Sequence, residues 1–71
     1  METIESLFGQ AVRKRRGTIS QEDFADKVGV STTFIGQVER GTNSPSFETM
    51  QKMAEVLEVD ISELFLPPDK K

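Results

Sequence analysis

The sequence predicts an all-α fold of five short helices, and three observations predict it. Glycine, proline and capping residues cut the 71 residues into short segments. Within each segment the apolar residues recur at the spacing of one helical face. No segment alternates apolar and polar residues as a half-buried strand would.

Thr3 stands where an N-cap is needed, ahead of Ile4, Leu7, Phe8, Ala11 and Val12 at i, i+3, i+4, i+7 and i+8. This first helix ends in Arg13-Lys14-Arg15-Arg16, since cations favour a helix C-terminus, and Gly17 stops it. The four charges read either as a solvated last turn or as a source of phosphate contacts. Ser20 caps a second helix, Gln21 to Val28, with Phe24, Ala25 and Val28 inward, and Gly29 breaks it. Ser31 caps a third, Thr32 to Glu39 or Arg40, in which Ile35 and Val38 point inward. The composition of Gly41-Thr42-Asn43-Ser44-Pro45 is that of a loop. Ser46 opens a fourth helix to about Leu57, with Phe47, Met50, Ala54 and Leu57 on one face. Asp60-Ile61-Ser62-Glu63 reads as a capping box for a fifth, about 61–66, ended by Pro67-Pro68. Without repeat, low-complexity tract or linker, residues 1–71 form one compact domain.

Composition narrows the function. There is no cysteine and no histidine, so thiol chemistry, disulfides and the commonest general base and metal ligand are missing. Neither a catalytic set nor a metal or cofactor site is expected, and the acids are scattered without a nucleophile–base pair. Tryptophan and tyrosine are absent too, which leaves no aromatic platform for stacking bases. No apolar run approaches the roughly 20 residues of a membrane span, and the acidic N-terminus is no signal peptide. The expectation is a cytoplasmic binding module that uses no membrane.

The formal charge of −3 does not exclude a polyanionic partner, because charge acts by location. Residues 13–45 carry six bases against four acids, and residues 46–71 carry three bases against six acids. The middle of the chain can face a polyanion while the C-terminal third faces away.

Helices two and three, over about 21–40, form a helix-turn-helix in which each position has a mechanical job. Counting Gln21 as first, Ala25 is fifth and must be small, because the third helix crosses there. Gly29, ninth, suits a left-handed residue that a side chain would make costly. Phe24, Val28, Val30, Ile35 and Val38 fill the angle between the helices.

In order and at the right spacing, five fragments resemble the phage repressor/Cro type of helix-turn-helix regulator. They are Ser20-Gln21-Glu22-Asp23-Phe24-Ala25; Val28-Gly29-Val30-Ser31; Phe34-Ile35-Gly36-Gln37-Val38-Glu39-Arg40-Gly41; Asn43-Ser44-Pro45-Ser46-Phe47; and Leu57 through Phe65. The resemblance runs from about Phe8 to Phe65 and is nearest to short stand-alone repressors and to controller proteins of restriction–modification systems. It implies a lambda-repressor-like domain whose third helix lies in the DNA major groove, with Ser31, Thr32, Thr33 and Gln37 facing the bases. The chemistry agrees: these polar side chains lie opposite Ile35 and Val38, and Gln37 can bond adenine N6 and N7 together. Phe34 belongs either to the core or to the groove edge, where relatives often carry tyrosine.

The resemblance also implies phosphate contacts from Gln21 and from Arg40, Thr42 and Asn43, with Lys14 to Arg16 as further candidates. Gln21 can instead cap its helix, and Asn43 can instead hold the turn before Pro45. Glu39 is expected to pair with an arginine of the first helix, Arg16 or Arg13. The stretch from Arg16 to Ser20 is shorter than the family pattern, so the choice between them stays open.

One such module reads few base pairs, so a homodimer on a pseudo-palindromic operator is expected, with half-sites roughly 34 Å apart. Ile61, Leu64, Phe65 and Leu66 are the expected dimer surface; packing onto the first helix is the alternative. These expectations converge on a sequence-specific transcriptional regulator of double-stranded DNA, by default an operator-occupying repressor and by resemblance an autoregulator. Activation through Glu22, Asp23 and Asp26 remains open. The rival from another class is a protein-interaction module of the same fold, an antitoxin-like or anti-repressor partner. Polar Thr32, Thr33 and Gln37 argue against it, since a protein-binding surface there would be apolar.

Overall fold

The structure, a computed structural model, describes residues 3–65. Four α-helices follow one another: α1 (Ile4–Arg16), α2 (Gln21–Val28), α3 (Thr32–Glu39) and α4 (Phe47–Leu57). No strand occurs among the described residues. None of the described helices is long and apolar enough to cross a membrane.

Each helix begins at the expected cap. Thr3, Ser20, Ser31 and Ser46 are extended, and each side-chain oxygen accepts a hydrogen bond from the backbone N–H three residues on. These bonds span 3.0 to 3.2 Å and satisfy a donor that the helix itself leaves without a partner. Gly29, at φ +92°, ends α2 in the left-handed region, with its N–H on the Ala25 carbonyl. Helix α4 ends without glycine. Glu58 takes the left-handed conformation there at φ +59°, a strain of about 1–2 kcal/mol that its N–H offsets by closing onto the Ala54 and Glu55 carbonyls.

The expected fifth helix is instead a 3₁₀ turn, Ile61–Phe65, so the count is four α-helices and one turn. Five residues can close only one i→i+4 bond, whereas the tighter 3₁₀ ladder begins one residue earlier, with Glu63 N donating to Asp60 O at 2.9 Å. The capping box changes with it. Glu63 reaches back to the Asp60 N–H, but the Asp60 carboxylate accepts from the Ser62 N–H and hydroxyl. These bonds, the backbone one foremost, hold the Asp60 carboxyl below the usual aspartate pKa.

Phe8, Val12, Phe24, Ile35, Val38, Met53 and Leu64 make up the fully buried core. Helix α3 packs on α1 and α2, α4 on α2, and the 3₁₀ turn on α1 and α4. Two expected apolar faces shift. Ile4 and Phe47, at the first turns of α1 and α4, are 68% and 69% exposed. In α4 the inward residue is Met53, which lies about 120° around the helix from Phe47, and Ala54 joins it. Leu64 corrects the expected dimer surface: it is buried in the chain's own core and unavailable to a second copy. Phe65 stays 41% exposed while its ring stands 5.3 Å from that of Phe8, and Ile61 packs half-buried on the core. Leu66 lies outside the described residues.

Candidate nucleic-acid interface

Helix α3 is set in place from both sides. On the α2 side, Ala25 is buried, and its carbonyl accepts from both Gly29 N and Val30 N at 2.7 and 3.0 Å, which draws the turn tight. On the α1 side the contact is backbone to backbone. A Cβ added at Gly9 would collide with the Val38 carbonyl and lie 2.9 Å from the Glu39 carbonyl oxygen. Only a residue without a side chain admits α3 this close.

With Ile35 and Val38 buried at 0% exposure, the opposite side of α3 must face outward. Thr32 and Thr33 are exposed there, and Gln37 is half-buried. Ser31 is exposed as well, but its Oγ is held by the Phe34 N–H as the cap of α3. Phe34 is half-buried and packs against the core, so it presents no more than part of its ring outward.

The C-terminal end of α3 is closed by the turn that follows it. The Thr42 N–H and hydroxyl both donate to the Gln37 carbonyl, at 2.9 and 3.1 Å. Such bonds satisfy a carbonyl that the helix end leaves open. Both Thr42 donors are given to that carbonyl here, so the expected phosphate contact of Thr42 requires its exposed hydroxyl to turn away from it. Asn43 bends back in the same way: its Nδ2 donates to the Gln37 Oε1 at 3.0 Å. Arg40 is exposed and remains as a cation beside α3.

Glu39 finds its partner in Arg16. The guanidinium grips the carboxylate at two points, Nε to Oε2 at 2.7 Å and Nη2 to Oε1 at 2.9 Å, while Nη1 donates to the Ile19 carbonyl at 2.7 Å. The hydrogen bonds to Glu39 raise the Arg16 pKa above its already high usual value. This corrects Arg16 as a phosphate candidate, since a nucleic acid would have to take it from a nearly buried carboxylate. Gln21 joins the same group, its Nε2 donating to Glu39 Oε1 at 3.0 Å. Ser20 rather than Gln21 caps α2. Arg15, another candidate of the basic run, is paired with Glu63 of the 3₁₀ turn at 3.0 Å.

The structure thus brings Thr32, Thr33, Gln37, Arg40 and Asn43 to the outer side and end of α3, and draws Arg16 and Thr42 into holding it. Sequence reasoning missed Gly9. Its signal was a glycine within a helical stripe, where it costs about 1 kcal/mol unless close packing requires it.

Residues 10–64 match the helix-turn-helix family. Over 61 residues, 86% of each chain, the sequence is 41% identical to YazB of Bacillus subtilis, an uncharacterized HTH-type transcriptional regulator. Among solved structures, the restriction-modification controller protein C.AhdI of Aeromonas hydrophila superposes with a TM-score of 0.82 at 35% identity, covering 86% of this chain and 96% of that one. The DNA-binding domain of the P22 C2 repressor gives a TM-score of 0.80 at 32% identity, over 90% of this chain and 84% of that domain.

Proposed function

The chain belongs to the helix-turn-helix family as a DNA-binding transcriptional regulator, and from that premise we infer that it occupies a pseudo-palindromic operator as a homodimer, with α3 in the major groove. The observation that carries this is the two-sided build of α3. Ile35 and Val38 are buried on one side, and Thr32, Thr33 and Gln37 face out on the other. Those three side chains supply hydroxyls, methyl groups and an amide, which suit base edges. Ser31 stands at the groove end of α3 with its remaining O–H donor. Arg40 contacts phosphate beside the groove, and Gln21 does so at the start of α2 while staying bonded to Glu39. Operator occupancy that excludes polymerase is repression, the default mode here, and the protein works in the cytoplasm, where its DNA lies.

A second copy supplies the other half-site. Phe65, 41% exposed, is the residue offered to it, with Ile61 in the same turn and Leu66 next in sequence. The likeness to a restriction-modification controller protein and to the DNA-binding domain of a repressor supports this mode of action.

The test is selection from a random duplex DNA pool at two salt concentrations, with the protein's mass in solution measured alongside. Enrichment of a pseudo-palindrome, with affinity falling steeply as salt rises, is the expected result. No enriched sequence overturns the operator reading, and a monomeric mass both free at micromolar concentration and on DNA overturns the homodimer.

A further inference from the structure

Gln37 faces the groove side of α3 with an amide whose two ends are chemically opposite: Oε1 accepts and Nε2 donates. A free glutamine can present either end, and so can satisfy a base that donates or one that accepts. This glutamine is not free. Asn43, six residues on and beyond the end of α3, donates from Nδ2 to Oε1 at 3.0 Å. Asn43 is itself carried on a turn fixed to the same residue, because the neighbouring Thr42 bonds the Gln37 carbonyl twice. One backbone group and one side chain of Gln37 are therefore held by adjacent residues of one short turn. Gln37 Nε2 has no partner among the described residues, so its two hydrogens and one lone pair of Oε1 are left for a ligand.

We propose that Asn43 is a specificity-setting residue that acts through Gln37, fixing its amide so that Nε2 is the donor offered to the base. This rests on the operator reading above. Adenine fits such an amide fully, since N7 accepts from Nε2 and N6 donates to the remaining lone pair of Oε1. Cytosine presents only a donor, N4, in the major groove and leaves the Nε2 hydrogens unmatched. Guanine and thymine present acceptors and take the donor alone. At the base pair under Gln37 the protein therefore ranks adenine first and cytosine last. Asn43 contributes through Gln37: by holding one end of its amide it removes in advance the rotamer freedom that would blur this ranking.

The experiment measures base preference at every operator position for the wild type, Gln37→Ala, Asn43→Ala and Asn43→Asp. Gln37→Ala marks the pair that Gln37 reads. Asn43→Ala is expected to lower adenine-over-cytosine discrimination at that same pair by about 3- to 10-fold, a larger change than any at the other operator positions. In Asn43→Asp a carboxylate replaces the donor, so Nε2 turns toward it and Oε1 turns out, and cytosine gains on guanine at that pair. Side-chain ¹⁵N relaxation of free protein should show the Gln37 amide ordered in the wild type and mobile in Asn43→Ala. Asn43 is exposed and makes no core contact, so the thermal midpoint should stay put.

An unchanged base profile in Asn43→Ala overturns the proposal, and so does equal weakening on all sequences, which is the signature of a phosphate contact. Wild-type protein that enriches no sequence overturns the operator reading itself, before any variant is compared.

Discussion

Arg16 and Glu39, the last residues of α1 and α3, close a two-point ion pair at 2.7 and 2.9 Å, with side-chain exposures of only 14% and 4%. The pair joins the end of the first helix to the end of the base-facing one, and Gln21 ties α2 to the same carboxylate. Because Glu39 is so little exposed, removing its partner strands a charge. Arg16→Ala is expected to cost about 3–5 kcal/mol in urea unfolding, while Arg16→Met with Glu39→Leu should cost much less than the two single changes together. A loss within about 1 kcal/mol for Arg16→Ala would make the pair an ordinary surface contact.

Gly9 predicts a second ordering. A methyl group there meets the backbone of Val38 and Glu39, which cannot move aside as a side chain can. Gly29 offers open space to a methyl group and resists it only through its φ of +92°. Gly9→Ala should therefore lower stability by about 3 kcal/mol or more through overpacking, and Gly29→Ala by about 1–2 kcal/mol through strain. Thermal unfolding of the two variants decides; equal midpoints would mean that α1 and α3 can slide apart at little cost.

The parts of this fold that local chemistry dictates were legible in the sequence. The caps at Thr3, Ser20, Ser31 and Ser46 need only one oxygen and the next N–H groups, so each was readable from a few residues. The helix-turn-helix was readable because Ala25, Gly29, Ile35 and Val38 have steric jobs at fixed spacing. What needed a partner from elsewhere in the chain was not. Arg16 and Arg13 both had the charge for Glu39, and only the packing of α1 against α3 chose Arg16. The identity of the last element turned on the competition between a single α-helical bond and a 3₁₀ ladder over five residues. Phe47 and Met53 exchanged places because apolarity gives a stripe, and the neighbouring α2 and 3₁₀ turn decide which edge of it is covered. The bond from Asn43 to Gln37 joins an exposed polar residue to a half-buried one, and no apolar pattern marks such a pair.

The 3₁₀ turn separates stability from assembly in adjacent residues. Leu64 is fully buried, so Leu64→Ala should cost about 2–5 kcal/mol in unfolding measured where dissociation is complete. Phe65 is 41% exposed, and its ring meets that of Phe8 at a tilt of 40°. Phe65→Ala is expected to leave most of that stability and to weaken self-association, read by sedimentation velocity across a concentration series. If Phe65→Ala associates as the wild type does, the second copy docks elsewhere.

Thr32 and Arg40 lie at opposite ends of α3 and predict opposite kinds of failure. Thr32 is exposed at the first position of the helix, where its hydroxyl and methyl can match one base edge. Thr32→Ala should cost about 1–3 kcal/mol on the selected operator, relax the preference at one or two base pairs and leave random duplex binding alone. Arg40 is exposed beyond the last turn, with no acid of the chain holding its guanidinium among the described residues, so its charge is available to a phosphate. Arg40→Ala should weaken binding to every sequence alike and flatten the slope of log affinity against log salt by about 1, the release of one counterion fewer. Titration of operator and random duplex at three or more salt concentrations separates the two. If Arg40→Ala narrowed or shifted base preference with its salt slope intact, Arg40 would move to the base-reading set and the phosphate anchor would have to come from Gln21.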